Sequence, residues 1–114
     1  MVQIRGMMRV LSSAALALAV ALAAGGSGDA AAGKAIYDKS CRSCHGAEGQ
    51  GNPGLAKVLK LELRHLGSKE VQSQSDEALK KAVTDGVGKM KPVKGITGKQ
   101  LDDLVAFMRT LKKA

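Results

Sequence analysis

The sequence predicts an all-α domain of four to five short helices, and three observations carry that expectation. Apolar residues recur at helical spacing, as in Leu101, Leu104, Val105, Met108 and Leu111, and again in Leu79, Ala82 and Val83. Helix-start chemistry precedes these runs, at Asp29, at Ser75 and in the pair Thr97 and Gln100. Lastly, the chain of 114 residues holds one Tyr, one Phe and no Trp. A domain this small with so few aromatics has a thin core of its own and needs a staple.

The first two dozen residues read as a leader. Arg5 and Arg9 supply a positive start, Val10 to Ala24 is an apolar run, and Ala21 and Ala23 offer an Ala-x-Ala cleavage site. This is the three-part pattern of a secretory signal peptide over residues 1–24, cleaved near 23–28, and the run is short for a membrane span. An uncleaved anchor is the alternative. Gly25 to Gly28 reads as a flexible linker, leaving one domain over 29–114. Removing Arg5 and Arg9 from the 18 basic residues leaves 16 against 10 acidic ones, a balance of +6. With two aromatics and an export signal, that charge points away from nucleic acid and towards acidic protein partners.

Asp29 caps a first helix expected to run to about Ser40, with Gly33, Ile36 and Tyr37 on one side. Gly33 and Tyr37 share a face, so the glycine admits a close helix neighbour and the tyrosine fills the adjoining space. Next comes Cys41-Arg42-Ser43-Cys44-His45. A Cys-x-x-Cys-His run reads as a site of covalent haem c attachment. Two thiols three positions apart project from one helical turn towards the vinyl groups of a porphyrin edge, and the next residue brings an imidazole to the iron. Cys41 and Cys44 would form thioethers and His45 the proximal ligand. A thioredoxin-type pair sits beside a βαβ pattern, and no hydrophobic strand precedes Ser40. Zinc takes four ligands, and the domain offers only Cys41, Cys44, His45 and His65 in that chemistry, with His45 abutting Cys44. Export also puts both thiols in an oxidising compartment, where haem attachment captures them.

Gly49 to Gly54 matches G-x-G-x-x-G formally, but no strand leads in and Pro53 interrupts it, so it reads as a loop with a Pro-Gly turn. Leu55 to Leu66 is helical in pattern, with His65 near its end as a surface or helix-end residue. Ser68 caps a brief turn through Val71, and Gln72 to Gln74 is a polar connector. Ser75 caps a helix over Asp76 to Asp85 that Gly86 stops. After a Gly- and Pro-bearing loop to Gly95, the Thr97–Gln100 capping box launches a last helix from Gly98 to about Lys112, with Phe107 at the margin of its apolar stripe.

For the other side of the iron, the domain offers Met90 and Met108. Met108 falls within the last helix's apolar stripe and suits packing. Met90 lies between Lys89 and Lys91 in an irregular loop, where a thioether bond to iron would give it a reason to point inward; His65, water or an open site are the alternatives.

These residues together resemble the class I c-type cytochromes, small soluble electron carriers. The resemblance covers Asp29 to Ala114 and rests on Gly33 and Tyr37, Cys41-x-x-Cys44-His45, Pro53-Gly54-Leu55, the Gly-x-Gly-Lys-Met-x-Pro run ending at Met90 and Pro92, and Phe107, Arg109 and Leu111 in the last helix. It implies a cytochrome c-like fold around one covalently bound haem c, contacted by Cys41, Cys44, His45, Pro53, Leu55 and Met90, with His45 and Met90 on the iron. It also implies that Gly33 and Tyr37 pack against Phe107, and that the Pro53 carbonyl orients His45 through its second nitrogen. Phe107 stands where Tyr or Trp is common. The expected function is a periplasmic, monomeric carrier of single electrons, not an enzyme, with Lys39, Lys57, Lys89, Lys91 and Lys94 steering acidic redox partners. The alternatives are a peroxidase or gas sensor with a labile sixth site, and the haem subunit of a larger oxidoreductase.

Overall fold

The computed structural model describes residues 28–112. The expected leader over 1–24, its cleavage region and all of the linker except Gly28 lie outside the described residues. Six helices occur among them: α1 (Ala30–Ser40), α2 (Arg42–His45), α3 (Pro53–Leu59), α4 (Lys69–Gln72), α5 (Asp76–Asp85) and α6 (Lys99–Thr110). The fold is all-α; α2 and α4 are single turns, which takes the count past the expected four to five. An isolated bridge between Val87 and Met90 is the β feature found among the described residues.

The first and last helices form the frame. The Asp29 carboxylate accepts from the Ala31 and Ala32 amides at 2.9 and 3.3 Å, satisfying two of the donors that every helix start leaves unpaired. Gly33 is buried against α6, and a Cβ on it would overlap the Asp103 carbonyl oxygen. Side by side with that contact, Tyr37 meets Phe107 with ring centroids 4.9 Å apart in a tilted arrangement. Tyr37, Leu104 and Val105 are the largest fully buried side chains, and Val71, Leu79, Val83, Ile96, Phe107 and Met108 complete the core. Phe107 therefore sits inside the core and not at its margin, because the close approach allowed by Gly33 brings α1 over it. Met108 packs in the core as expected.

Two helix boundaries differ from expectation. The segment expected as a helix over 55–66 instead forms α3 over Pro53–Leu59. Asn52 starts it early by accepting from the Leu55 amide at 3.2 Å, with Pro53 in the first helical position, where its missing N–H costs nothing. Lys60 then ends it in the left-handed region, at φ 53°. The capping box at Thr97 does not form: Gly98, at φ 52°, holds the cap position of α6 with no side-chain hydrogen bond. The start of α6 is fixed instead by Asp103, buried in the first turns, which accepts from Lys99 Nζ at 2.9 Å and from the Asp29 backbone N–H at 2.8 Å. By contrast α4 and α5 begin where expected, the Ser68 and Ser75 hydroxyls accepting from the Val71 and Ala78 amides.

Arg109 secures the connector between α4 and α5 to the last helix. It donates to the Gln72 and Gln74 carbonyls at 2.9 and 2.7 Å and to the Asp76 carboxylate at 2.7 Å. Gln72 returns the link, donating to the Met108 carbonyl at 3.0 Å.

Candidate functional site

Cys41 ends α1, and Cys44 and His45 lie on the single turn α2 directly after it. Three carbonyls of this stretch are held from outside. The Tyr37 hydroxyl donates to the Gly46 carbonyl at 2.5 Å, the Gly51 amide to the His45 carbonyl at 2.6 Å, and Asn52 Nδ2 to the Ser43 carbonyl at 3.1 Å. Gly46, at φ 83°, lets the chain turn sharply after the histidine. Asn52 works at both ends of its amide, since its oxygen caps α3 while its nitrogen holds the Cys-x-x-Cys-His turn.

The electrostatics of the turn suit covalent attachment and metal ligation. Cys41 and Cys44 form no disulfide; Cys41 is half-buried and Cys44 exposed. Burial, and secondarily the neighbouring Cys44, pushes the Cys41 thiol up to about 11, so it stays an S–H near neutrality. Burial pushes the His45 imidazole down from its ordinary value, favouring the neutral ring that can ligate iron. His45 Nδ1 is buried without a hydrogen-bond partner among the described residues, so the expected bond to the Pro53 carbonyl is not made. Two unbridged thiols and a half-buried neutral imidazole on one turn fit a covalently held haem.

Pro53 and Leu55 lie in the first turn of α3, with Leu55 half-buried, so α3 begins against the attachment turn. Met90 lies on the far side of the sequence, half-buried in a tight turn closed by reciprocal Val87 and Met90 backbone hydrogen bonds of 3.0 and 2.8 Å. A Cβ at Gly86 would meet the Met90 carbonyl oxygen at 2.6 Å, so glycine is what lets the loop fold back on itself. Lys89, next to Met90, donates to the Leu59 carbonyl at 2.6 Å. Thus Gly51 and Asn52 tie the turn that carries Cys44 and His45 to the start of α3, where Pro53 and Leu55 lie, and Lys89 ties the Met90 loop to the end of the same helix. The large apolar side chains left most exposed, Val58, Leu59 and Val87, lie on these two neighbouring segments. His65 stands apart from any helix, its Nδ1 accepting from the Gly67 amide at 2.8 Å.

The sequence reading passed over the Tyr37 hydroxyl and the Asn52 amide, and it gave the Lys89 ammonium to partner steering, whereas here it donates to the Leu59 carbonyl. An asparagine directly before a proline is a helix-start signature, and it could have placed Asn52. The Tyr37 and Lys89 contacts span 9 and 30 residues and leave no periodic trace.

The family profile described as "Cytochrome C oxidase, cbb3-type, subunit III" matches residues 28–108. Cytochrome c-554(547) of Halothiobacillus neapolitanus is 38% identical over 93 residues, covering 75% of this chain and 99% of that protein. Among solved structures, the KustC0563 c-type cytochrome superposes with a TM-score of 0.61 at 30% identity, covering 71% of this chain and 98% of that one.

Proposed function

The chain belongs to this family of c-type cytochrome domains, and on that premise we propose that it carries single electrons between redox proteins in the periplasm, with His45 and Met90 as the iron's axial ligands. As a small c-type cytochrome it bears covalently bound haem c. The observation that carries the reading is the attachment turn itself, with its unbridged thiols and its half-buried, neutral His45.

When bound, the haem iron supplies a one-electron couple between its ferrous and ferric states. The chain's own part is to hold that group fixed. Cys41 and Cys44 anchor its edge, and Tyr37, Gly51 and Asn52 keep the turn that carries His45 from shifting. His45 Nδ1 donates to neither the Pro53 carbonyl nor any other described group, so the turn is held by the Tyr37, Gly51 and Asn52 hydrogen bonds to its carbonyls. With Met90 in the sixth position, no site is open for oxygen or substrate, which favours a carrier over an enzyme; a thioether there also raises the potential relative to a second imidazole.

For the partner, Val58, Leu59 and Val87 offer an exposed apolar centre, and the exposed Lys57, Lys91 and Lys94 flank it in sequence. That pattern suits an acidic docking face, approached faster at low ionic strength. Among the described residues no helix is long and apolar enough to cross a membrane, and the export signal over 1–24 supports the periplasm.

The description of the matched family favours one second reading, a haem subunit of a larger oxidase. The relative from Halothiobacillus neapolitanus, matched over 99% of its length, supports the independent small carrier. The test is the protein purified from periplasm of cells that mature c-type cytochromes. A reduced spectrum typical of haem c, an intact mass of the trimmed chain plus one haem, and elution as a monomer are expected. A colourless product would overturn the assignment, and co-elution with a copper or flavin protein would favour the subunit.

A further inference from the structure

The loop that carries Met90 is anchored on two sides by different means. On the α5 side it is held by backbone: the Gly86 amide donates to the Ala82 carbonyl at 3.0 Å, and the Val93 amide to the Val83 carbonyl at 2.9 Å. On the α3 side, among the described residues, a single hydrogen bond reaches across from residues 87–91, from Lys89 Nζ to the Leu59 carbonyl at 2.6 Å. Leu59 is the last residue of α3, where the carbonyls lack helical partners and the helix dipole is negative, so a lysine ammonium is favoured there. Lys60, in the left-handed conformation, turns the chain away and leaves that carbonyl to Lys89.

The opposite end of α3 is pinned by Asn52 to the turn bearing His45. A helix of seven residues is a strut of about 10 Å at ~1.5 Å rise per residue, fixed by one side chain at each end. We infer that Lys89 is a positioning residue: its hydrogen bond to the end of α3 holds the Met90 loop closed and thereby sets how readily an external ligand reaches the sixth position. The inference rests on the reading of Met90 as axial ligand. It also gives Lys89 a different task from Lys91, its neighbour across Met90, for which no such contact is found among the described residues. An ammonium already spent on a carbonyl inside the chain is a poor choice for docking a partner, which leaves Lys91 for that role.

The test follows imidazole uptake by the ferric holoprotein, alongside amide exchange of Val87 and Met90 in the reduced protein. Lys89→Ala is expected to speed uptake about threefold, the size expected when one solvent-exposed, charge-assisted hydrogen bond holds a closed state. It should also raise exchange at Val87 and Met90 while α1 and α6 stay protected. Lys89→Arg, which keeps a cation for the carbonyl, should restore the slow rate, and Lys91→Ala should leave it unchanged. Met90→Ala serves as the reference for an open site. If Met90→Ala speeds uptake and Lys89→Ala does not, or if Lys91→Ala speeds it equally, the latch is wrong and the ligand stands. If Met90→Ala takes up imidazole no faster than the parent, the ligand assignment itself fails, and the latch with it.

Discussion

Tyr37 does two things at one position: its ring packs on Phe107 and its hydroxyl holds the Gly46 carbonyl beside His45. Burial pushes its phenol up to about 12 from an ordinary 10.0. A group raised in the folded state stabilises it fully below the ordinary value, and that contribution fades as pH rises through the raised one. Tyr37→Phe should therefore cost about 1–2 kcal/mol in thermal unfolding at neutral pH, and the gap from the parent should shrink between pH 10 and 12. Asp103 works with the opposite sign. The Asp29 amide and then the Lys99 ammonium hold its carboxylate below the ordinary 3.8, so its contribution is complete above that value and is lost as pH falls through the lowered one. Asp103→Asn should be less stable than the parent at neutral pH, and the two acid-unfolding curves should converge below pH 3.8. At this scale Cys41, Cys44 and His45 were legible because their chemistry lies in five consecutive residues. The work of Asp103 was not, because a carboxylate on a helix reads as solvated until its partners on another helix are known.

Among the elements, the contact of α1 with α6 depends on the absence of one methyl group. Alanine at position 33 would improve helix propensity by ~1 kcal/mol, but its Cβ would overlap the Asp103 carbonyl and crowd Phe107. Backbone cannot give way as a side chain end can, so Gly33→Ala should destabilise the holoprotein by roughly 1–3 kcal/mol, seen as a lower Tm. An unchanged or higher Tm would mean that the two helices are less tightly apposed than described here. The ends of α1, α4 and α5 could be read from sequence because Asp29, Ser68 and Ser75 are local caps that satisfy amides two or three residues on. The limits of α3 and α6 could not. In α3 the apolar pattern continues to Leu66, but Lys60 leaves the helix so that Leu66 can pack against the core and its amide can donate to the Gly49 carbonyl. In α6 a capping box was available, but Gly98 and the ion pair of Lys99 with Asp103 displaced it.

For the molecule as a whole, the described core is nine side chains with two aromatics. Most of the α3 segment and the Met90 loop lie outside that core. A haem held through Cys41 and Cys44 would supply the apolar mass to join them to the α1–α6 frame. Cys41→Ser together with Cys44→Ser should yield apoprotein with most of its helical circular dichroism lost, since neither region is sufficient alone; a well-folded double variant would show that the polypeptide core suffices. The all-α fold was legible from periodicity and caps. The pairing of first helix with last was visible only through Gly33, Tyr37 and Phe107.

That pairing governs when the protein can fold. The first helix, α1, finds its main partner in the twelve-residue α6, far along the sequence, so that contact cannot close until α6 is present. Before it closes, the turn from Cys41 to His45 would lack the Tyr37, Gly51 and Asn52 hydrogen bonds that hold it in the folded chain. Chemistry at its thiols would then come before packing.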